Sequence, residues 1–241
     1  MELSVIIPTY NRKKVLRHLL LSLINQGKLE YEVIVFDDGG DDNTYLELED
    51  IKDKFKLPYE LKYFYQERKG FRAGSARNLG VSKACSNKFV FIDHDTLLAP
   101  FILQYFKEVS DGFFINGIKR LVSLQFYSTI SDKDILEKMK FFTETTFGSL
   151  TATLSSFGSI TRHDFKLVNG FDDDFTEYGL EDTELIDRLK DVKISSRTHP
   201  CCIGYHIEHD YEKRIVSRHM QDVYHHKRNN KTGDGRKVSI E

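Results

Sequence analysis

Residues 1–100 alternate between the hydrophobic pattern of a buried strand and that of an amphipathic helix. Apolar residues recur at three- and four-residue spacing over 15–24, and helices are also predicted over 44–54 and 74–84. Nearly continuous apolar runs between these segments predict strands: LSVIIP (3–8), YEVIVF (31–36), LKYFYQ (61–66) and KFVFI (88–92). Strand–helix alternation at this interval predicts right-handed crossovers and an α/β fold, with a parallel sheet covered on both faces.

The alternation ends after residue 100. Further helices are predicted over 101–109, 132–142 and 181–189, and the segment LVSLQFY (121–127) is rich in residues that favour strands. No linker rich in Pro, Gly or Ser and no internal repeat interrupts the sequence. The simplest organisation is therefore one compact domain.

Polar clusters follow three of the predicted strands, at residues 8–11, Asp37-Asp38 and residues 93–95. Because ligands of such sheets bind at the carboxyl ends of the strands, all three clusters should open onto one crevice. No strand–helix junction carries G-x-G-x-x-G or G-x-x-x-x-G-K-[ST], which argues against dinucleotide oxidoreductases and P-loop enzymes.

The stretch FVFIDHDTLLAP, residues 89–100, places Asp93 and Asp95 directly after a strand. Such a pair can hold a divalent cation against a diphosphate, or one acid can attack a phosphate while the other handles its proton. The structural alternative is that both acids open a turn and cap a helix beginning near Pro100. The stretch alone leaves all three interpretations open.

Composition narrows the class of protein. Of 241 residues, 40% are hydrophobic and 12% aromatic, enough for a sizeable core. The formal net charge of −2 gives no basic field, so nucleic acid is not expected as a partner. Residues 211–241 nevertheless carry eight Lys/Arg against four Asp/Glu. This segment is either a solvated helix face or a contact to an anionic acceptor or membrane.

The N-terminal sequence MELSVIIPTYNRKK has no basic leader or cleavage site, and no apolar run approaches the ~18 residues of a membrane helix. Three cysteines, two of them adjacent, do not suggest a disulfide framework. The expected location is cytoplasmic, with contact of the basic C-terminal segment to the inner face of the membrane as a further possibility.

The motifs SVIIPTYNR, VIVFDDGGDDNT, GSARNLG and FIDHD, in this order, resemble an inverting GT-A glycosyltransferase of the family 2 type. NGFDDDFTEYGLEDTEL and GYH resemble the C-terminal part of β-1,4-galactosyltransferases and bacterial chondroitin-polymerase-like transferases. The resemblance implies a GT-A fold, a mainly parallel twisted sheet flanked by helices. It implies a catalytic domain over 1–210, with a nucleotide-binding half (1–100) and an acceptor-side half (101–210), followed by a basic helical or tail segment (211–241).

The resemblance also implies a UDP-sugar site. Asp37 or Asp38 would accept a hydrogen bond from the base, and the chain from 70 to 80 would lie across the diphosphate and ribose. The implied donor-binding residues are Pro8, Thr9, Tyr10, Arg12, Asp37, Asp38, Arg72, Arg77, Asn78, Asp93 and His94.

A metal site and a base complete the implied machinery. Asp95 would bind Mn²⁺ or Mg²⁺ directly, and Asp93 would meet the ribose or the metal through hydrogen bonds or water. His206, with His209 as the fallback, would add an imidazole ligand, which favours Mn²⁺.

In the motif Trp-Gly-Gly-Glu-Asp of the resembled enzymes the Asp is the general base, a role that the resemblance implies for Asp182. Glu181 would bind the acceptor or orient the base, and Tyr178 and Gly179 would contact the acceptor. The chain departs from the motif with Tyr178 for Trp and Leu180 for the second Gly. These departures bear on the identity of the donor and the acceptor more than on the class of reaction. The acceptor implied is a glycan, a lipid-linked sugar or a small molecule.

Two other functions remain as alternatives. An aspartyl-phosphate phosphatase would use Asp93 and Asp95, but its motif D-x-D-x-[TV] is imperfect because Leu97 holds the fifth position. A non-catalytic nucleotide- or carbohydrate-binding protein would keep the crevice without needing Asp182. The sequence therefore favours a metal-dependent inverting hexosyltransferase.

Overall fold

One β-sheet runs through the part of the chain that the computed structural model describes, residues 1–137, 151–152, 156–208 and 216–229. Its strands are β1 (Leu3–Thr9), β2 (Tyr31–Asp37), β3 (Glu60–Tyr65), β4 (Lys88–Ile92), β5 (Thr96–Leu98), β6 (Phe113–Val122), β7 (Thr151–Ala152), β8 (Phe157–Thr161) and β9 (Ser195–Ile207). They lie in the order β3-β2-β1-β4-β8-β6-β9-β5, and β7 pairs with β6.

Helices cover both faces of this sheet. The longer helices are α1 (Lys13–Leu23), α2 (Thr44–Lys54) and α3 (Ala73–Ser82), followed by short helices α4 (Leu103–Phe106), α5 (Leu124–Tyr127), α6 (Asp132–Leu136) and α7 (Arg162–Leu167), and then by α8 (Glu181–Asp191) and α9 (Arg218–Asn229). The structure confirms four predicted helices, and each end lies within two residues of its predicted position. Their predicted ranges are 15–24, 44–54, 74–84 and 181–189.

The buried strand β1 shows why its sequence lacks polar alternation. Val5 and Ile7 belong to the core cluster that includes the leucines of α1, whereas Ile6 belongs to a second cluster on the opposite face. Both faces of β1 therefore pack against apolar side chains, as expected for a parallel strand between two helix layers. Strands β1 to β4 pair in parallel, as predicted.

The second half of the sheet adds antiparallel pairings to the parallel first half. Strands β4 and β6 both run antiparallel to β8, and β5 runs antiparallel to β9, while β6 and β9 are parallel. Only residues 93–95 separate β4 from β5. A connection this short cannot make a parallel crossover, so the chain turns away from the parallel layer at this point.

Two local predictions after residue 100 are wrong in part. The helix expected over 101–109 is only α4, because Phe101 has a φ of 64° and the helical bonding starts after it. The strand-rich segment 121–127 contributes only its first two residues to β6, since the Ser123 side chain accepts a hydrogen bond from the Phe126 N–H and caps α5. The helix expected over 132–142 begins as α6, and its end lies outside the described residues.

The basic C-terminal segment contains helix α9, which docks on acids of the same chain. Lys227 Nζ lies 2.5 Å from Asp172 and 2.6 Å from Asp174. Arg228 lies 2.9 Å from Asp191. These charges are balanced internally, which favours a docked helix over a contact of these two residues with a membrane. Within the described residues, no helix combines the length and the apolar character that crossing a bilayer requires.

Close packing of α3 on β1 predicts that Gly80→Ala destabilises the fold. A Cβ at Gly80 would lie 2.5 Å from Ile6 Cγ2, so β1 and α3 would have to separate. We expect the free energy of unfolding to fall by about 1–3 kcal/mol in urea denaturation. Ser82→Ala, at the exposed end of the same helix, should change it by less than about 0.5 kcal/mol. Equal stability of Gly80→Ala and wild type would contradict this packing.

Candidate active site

A cleft of about 1030 Å³ opens at the carboxyl ends of β1, β2 and β4. This is the edge at which the sequence predicted a crevice. The predicted site residues that line it are Pro8, Thr9, Tyr10, Arg12, Asp38, Arg77, Asp93, His94, Asp95, Tyr178, Gly179, Glu181, Asp182 and His206. Three predicted residues, Asp37, Arg72 and Asn78, do not line it.

Asp93 and Asp95 flank the turn between β4 and β5. The Thr96 N–H donates to the Asp93 carbonyl at 3.0 Å, which closes the turn. The next helix begins only at Leu103, so neither acid caps it. The interpretation that both acids only open a turn and cap a helix therefore explains the turn, but it gives no role to the two carboxyl groups.

Two buried cations bind the Asp93 carboxylate. Arg77 donates to Oδ1 at 2.7 Å and Lys119 donates to Oδ2 at 3.0 Å. Burial alone would raise the pKa of Asp93, but Lys119 and Arg77 together hold this pKa below its usual value. Asp93 is therefore ionised, and both its oxygens already face cations of the protein.

Asp95 and His206 meet where β5 pairs with β9. Thr96 is in register with His206, and His206 Nδ1 lies 3.0 Å from Asp95 Oδ1. Two ligand atoms that each lie about 2.1 Å from a cation, at right angles, are about 3 Å apart. The two side chains are therefore close enough to bind one divalent cation together.

The described residues do not form a complete set of ligands around a metal. Across the described ranges, no group of three or more His, Cys, Asp or Glu side chains is arranged to hold an ion. Any cation here would take its other ligands from a substrate or water, as Mg²⁺ sites with phosphates commonly do. His209 lies outside the described residues.

Helix α8 begins inside the cleft with Glu181 and Asp182. Leu180, before it, has a φ of 72°, a left-handed conformation that costs a side-chain-bearing residue about 1 kcal/mol and glycine almost nothing. The resembled motif has glycine at this position, the residue that adopts this conformation most readily. This turn aims the first residues of α8 at the floor of the cleft.

Arg77 joins the acids of α8 to those of the β4–β5 turn. Its guanidinium lies 3.6 Å from carboxylate oxygens of both Glu181 and Asp182, in addition to its contact with Asp93. The Arg77 side chain is only 3% exposed. Acids from distant parts of the sequence are therefore parts of one charge cluster.

The pKa of Glu181 is raised within this cluster. Burial, followed by the neighbouring Asp182 charge, raises the pKa of Glu181 to about 7, although Arg77 opposes the shift. Glu181 can thus carry a proton near neutral pH. Asp182 is more accessible, with 20% of its side chain exposed.

The two acids after β2 divide between the core and the cleft. Asp37 accepts from the Gly40 N–H at 2.8 Å and from the Tyr63 hydroxyl at 3.0 Å, and burial raises its pKa. Asp38 lines the cleft and is bound by both Arg68 and Arg72 at 3.0 Å. Of the two, Asp38 is the one that a ligand in the cleft can reach.

Asn78 positions the loop that leads to α8. Its amide donates to the Phe171 carbonyl at 2.9 Å and its Oδ1 accepts from the Phe171 N–H at 2.9 Å. A further bond joins it to Asp173 at 3.2 Å. Asn78 therefore holds the loop at residues 171–173 against α3, and its side chain does not reach the cleft.

Several cleft residues were missed by the sequence analysis. The Arg68 guanidinium lies 3.8 Å from the centre of the Tyr10 ring while it also binds Asp38. Lys119 lies within β6 and is buried, but its local sequence does not indicate that the fold brings it to Asp93. Phe71 packs edge-on against Tyr178 with ring centres 5.6 Å apart. Val216 contacts Gly179, where an added Cβ would come within 2.7 Å.

His94 and Thr9 complete the wall near β1. His94 Nδ1 lies 3.2 Å from the Pro8 carbonyl oxygen, and burial lowers the pKa of His94, so its ring is neutral near pH 7. The Thr9 hydroxyl is buried and makes no hydrogen bond to the described residues. It remains available to a ligand.

Comparison with known families gives two matches. Residues 4–157 match the family described as "Glycosyl transferase family 2". Residues 138–211 match a family described as "N-terminal domain of galactosyltransferase".

Individual proteins agree with these matches. The chain is 32% identical to the chondroitin synthase of Escherichia coli over 144 residues, which is 57% of this chain and 20% of that protein. Among solved structures, TarS 1-349 of S. aureus in complex with UDP-GlcNAc superposes with a TM-score of 0.63 at 20% identity, covering 90% of this chain and 62% of that one. The mannosyltransferase PcManGT from Pyrobaculum calidifontis, in complex with GDP-Man and Mn²⁺, gives 0.60 at 18% identity, covering 97% and 65%. The chain thus spans less than two thirds of each of these proteins.

The buried Glu181 predicts a pH dependence of stability. Its folded pKa of about 7 lies above the ordinary value of 4.5. Its contribution to the free energy of unfolding is therefore complete below pH 4.5 and is lost as the pH rises through 7. Wild type should therefore lose on the order of 2 kcal/mol relative to Glu181→Gln between pH 5 and pH 8, measured by urea denaturation. Glu177→Gln, at an exposed position nearby, should show no such difference. A Glu181→Gln effect that is constant across this range would exclude the raised pKa.

Proposed function

The chain belongs to glycosyl transferase family 2 and has the GT-A fold, and we propose that it is a metal-dependent inverting enzyme that moves a sugar from a UDP-sugar to an acceptor hydroxyl. The family and the fold confirm the resemblance drawn from the motifs, and the match over 138–211 confirms its C-terminal part. Membership in a family of transferases favours glycosyl transfer over phosphatase activity and over binding without catalysis.

The observation that carries the proposal is the position of Arg77. This buried guanidinium lies 2.7 Å from Asp93 and 3.6 Å from Glu181 and Asp182. Acids that could bind a diphosphate through a cation therefore lie in the same cleft as acids that could deprotonate an acceptor. A glycosyl transfer with inversion needs these two functions on either side of one reacting carbon.

On the donor side, Asp38 and Tyr10 border the space proposed for the nucleotide base. The Asp38 carboxylate would accept a hydrogen bond from the imide N–H of uracil, and Tyr10, 40% exposed, offers a ring for stacking. Three predicted donor-binding residues do not line this surface. Arg72 binds Asp38, Asn78 binds the loop at 171–173, and Asp37 accepts hydrogen bonds from Gly40 and Tyr63. The UDP-GlcNAc complex of TarS supports UDP, whereas the GDP-Man complex of PcManGT makes the base a point to test.

Asp95 and His206 are the proposed metal ligands, and the imidazole favours Mn²⁺ over Mg²⁺. When bound, the cation supplies positive charge that stabilises the departing diphosphate. Asp93, already bound by two cationic side chains, would act on the donor through those cations or through water. The Mn²⁺ in the PcManGT complex supports this assignment.

Asp182 is the proposed general base. It would take the proton of the acceptor hydroxyl while the hydroxyl oxygen attacks the anomeric carbon from the face opposite UDP. The bond between that carbon and the diphosphate oxygen breaks in the same displacement, which inverts the configuration. Glu181, with its raised pKa, can donate a hydrogen bond to the acceptor and leave the deprotonation to Asp182.

The acceptor would enter past Tyr178 and Gly179. Tyr178 is 39% exposed at the mouth of the cleft and supplies an aromatic face on which a sugar can pack. Leu180 and Val216 narrow the same side. A glycan, a lipid-linked sugar or a small molecule with an accessible hydroxyl suits this opening.

Nucleotide binding tests the donor assignment. UDP should raise the melting temperature in a thermal-shift titration, only with Mn²⁺, and Asp95→Ala should abolish the shift because a metal ligand is lost. GDP and CDP should have smaller effects. Asp53→Ala, an exposed acid on α2, should respond like wild type. A shift from UDP that persists in Asp95→Ala without metal would contradict the proposed metal site.

Asp182→Asn tests the base. The amide cannot accept the proton, so transfer from a UDP-sugar should fall by about 10²- to 10⁴-fold while the affinity for UDP is retained. Transfer is measured by UDP release in the presence of an acceptor panel, and the anomeric configuration of the product by NMR. Asp191→Asn, near the other end of α8, is the control and should keep its activity. Full transfer by Asp182→Asn, or retention of configuration, would overturn this mechanism.

A further inference from the structure

Lys119 is a buried lysine in the wall of the cleft, and the mechanism above gives it no task beyond binding Asp93. It lies on β6 with 7% of its surface exposed. Its Nζ donates to Asp93 Oδ2 at 3.0 Å and to the Ser156 hydroxyl at 3.1 Å. Burying an ammonium group is costly unless it is paired, so its position requires an explanation.

Asp93 has a second counter-ion besides Lys119. Arg77 already binds Oδ1 of the same carboxylate at 2.7 Å. Arg77 also lies 3.6 Å from Glu181 and Asp182, whereas within the described ranges Lys119 forms an ion pair with Asp93 alone. Lys119 is thus the cation of this cluster with the fewer carboxylate partners, and an anion in the cleft can bind it.

The hydrogen-bonding capacity of the ammonium group leads to the same conclusion. A lysine side chain has three N–H donors, and Asp93 and Ser156 use two of them. Because Lys119 lines the cleft, the third donor is available to a ligand there.

Strand register places Lys119 beside the proposed diphosphate position. It pairs with Gly204 on β9, two residues before His206, while Leu121, two residues further along β6, pairs with His206 itself. Lys119 thus lies between the Asp93 carboxylate and the strand that carries the proposed metal ligand. No acidic side chain of β6 or β9 intervenes at these positions.

We propose that Lys119 binds the diphosphate of the donor directly and stabilises it as it leaves; this inference rests on the proposed function. As the bond from the anomeric carbon to the β-phosphate oxygen breaks, its electron pair stays on that oxygen, and the acceptor proton passes to Asp182. The negative charge that develops faces an ammonium group held in place before the reaction. Such a preorganised charge is worth more in a partly buried site than in water.

Comparing UDP with uridine separates this role from a purely structural one. Uridine keeps the base and ribose but has no phosphate. In isothermal titration with Mn²⁺ present, Lys119→Met should bind UDP roughly tenfold to hundredfold more weakly than wild type, with uridine affinity unchanged within about twofold. Lys119→Gln, which keeps a polar side chain beside Ser156, should show the same selective loss. Lys119→Arg should recover part of the UDP affinity because the charge is retained.

Lys107→Met is the matched control, since Lys107 pairs with Glu2 at the exposed surface, and it should bind both ligands like wild type. Equal losses for UDP and uridine, or none for either, would overturn the direct contact and leave Lys119 as a partner of Asp93. Wild-type protein that fails to bind UDP would overturn the donor assignment and this inference together. The two failures are therefore distinguishable in one set of titrations.

Discussion

The buried guanidinium of Arg77 is the interaction on which the site depends. It lies on α3, which packs against β1, and it reaches acids at the end of β4 and at the start of α8. A charge with 3% of its side chain exposed is stable only while these carboxylates surround it, and they in turn need it. The two halves of the domain are thus held in register at the place where both substrates would meet. The adjacent Asn78 holds the loop before α8 to the same helix.

Around Arg77 the acids take different states. Asp93 is kept ionised by Lys119 and Arg77, whereas burial and Asp182 raise the pKa of Glu181. Asp95 lies 3.0 Å from His206, with which it is proposed to share a cation. Neighbouring carboxyl groups thus become suited to separate tasks because their surroundings differ, and the identity of the residues alone would not assign those tasks.

The sequence predicted the first half of the fold well because its signals are local. Periodicity located β1 to β4 and the helices between them, and the carboxyl-end rule brought residues 8–11, Asp38 and the acids after β4 into one cleft. The second half depends on pairings between distant strands, such as β6 with β9, which leave no periodic signal. Lys119 was missed for this reason, since only the pairing brings it to Asp93. Asn78 and Arg72 were expected to touch the donor, yet their side chains bind the loop at 171–173 and Asp38, a distinction that motifs cannot make.

A crystal structure of the chain soaked with UDP and Mn²⁺, with data collected at the manganese absorption edge, tests the central claim most directly. The account predicts an anomalous peak in contact with Asp95 Oδ1 and His206 Nδ1, and a diphosphate between that peak and the Lys119 ammonium group. It also predicts that Asp182 lies across the open side of the cleft from the diphosphate. Nucleotide bound outside this cleft, or a manganese ion held away from both Asp95 and His206, would contradict it.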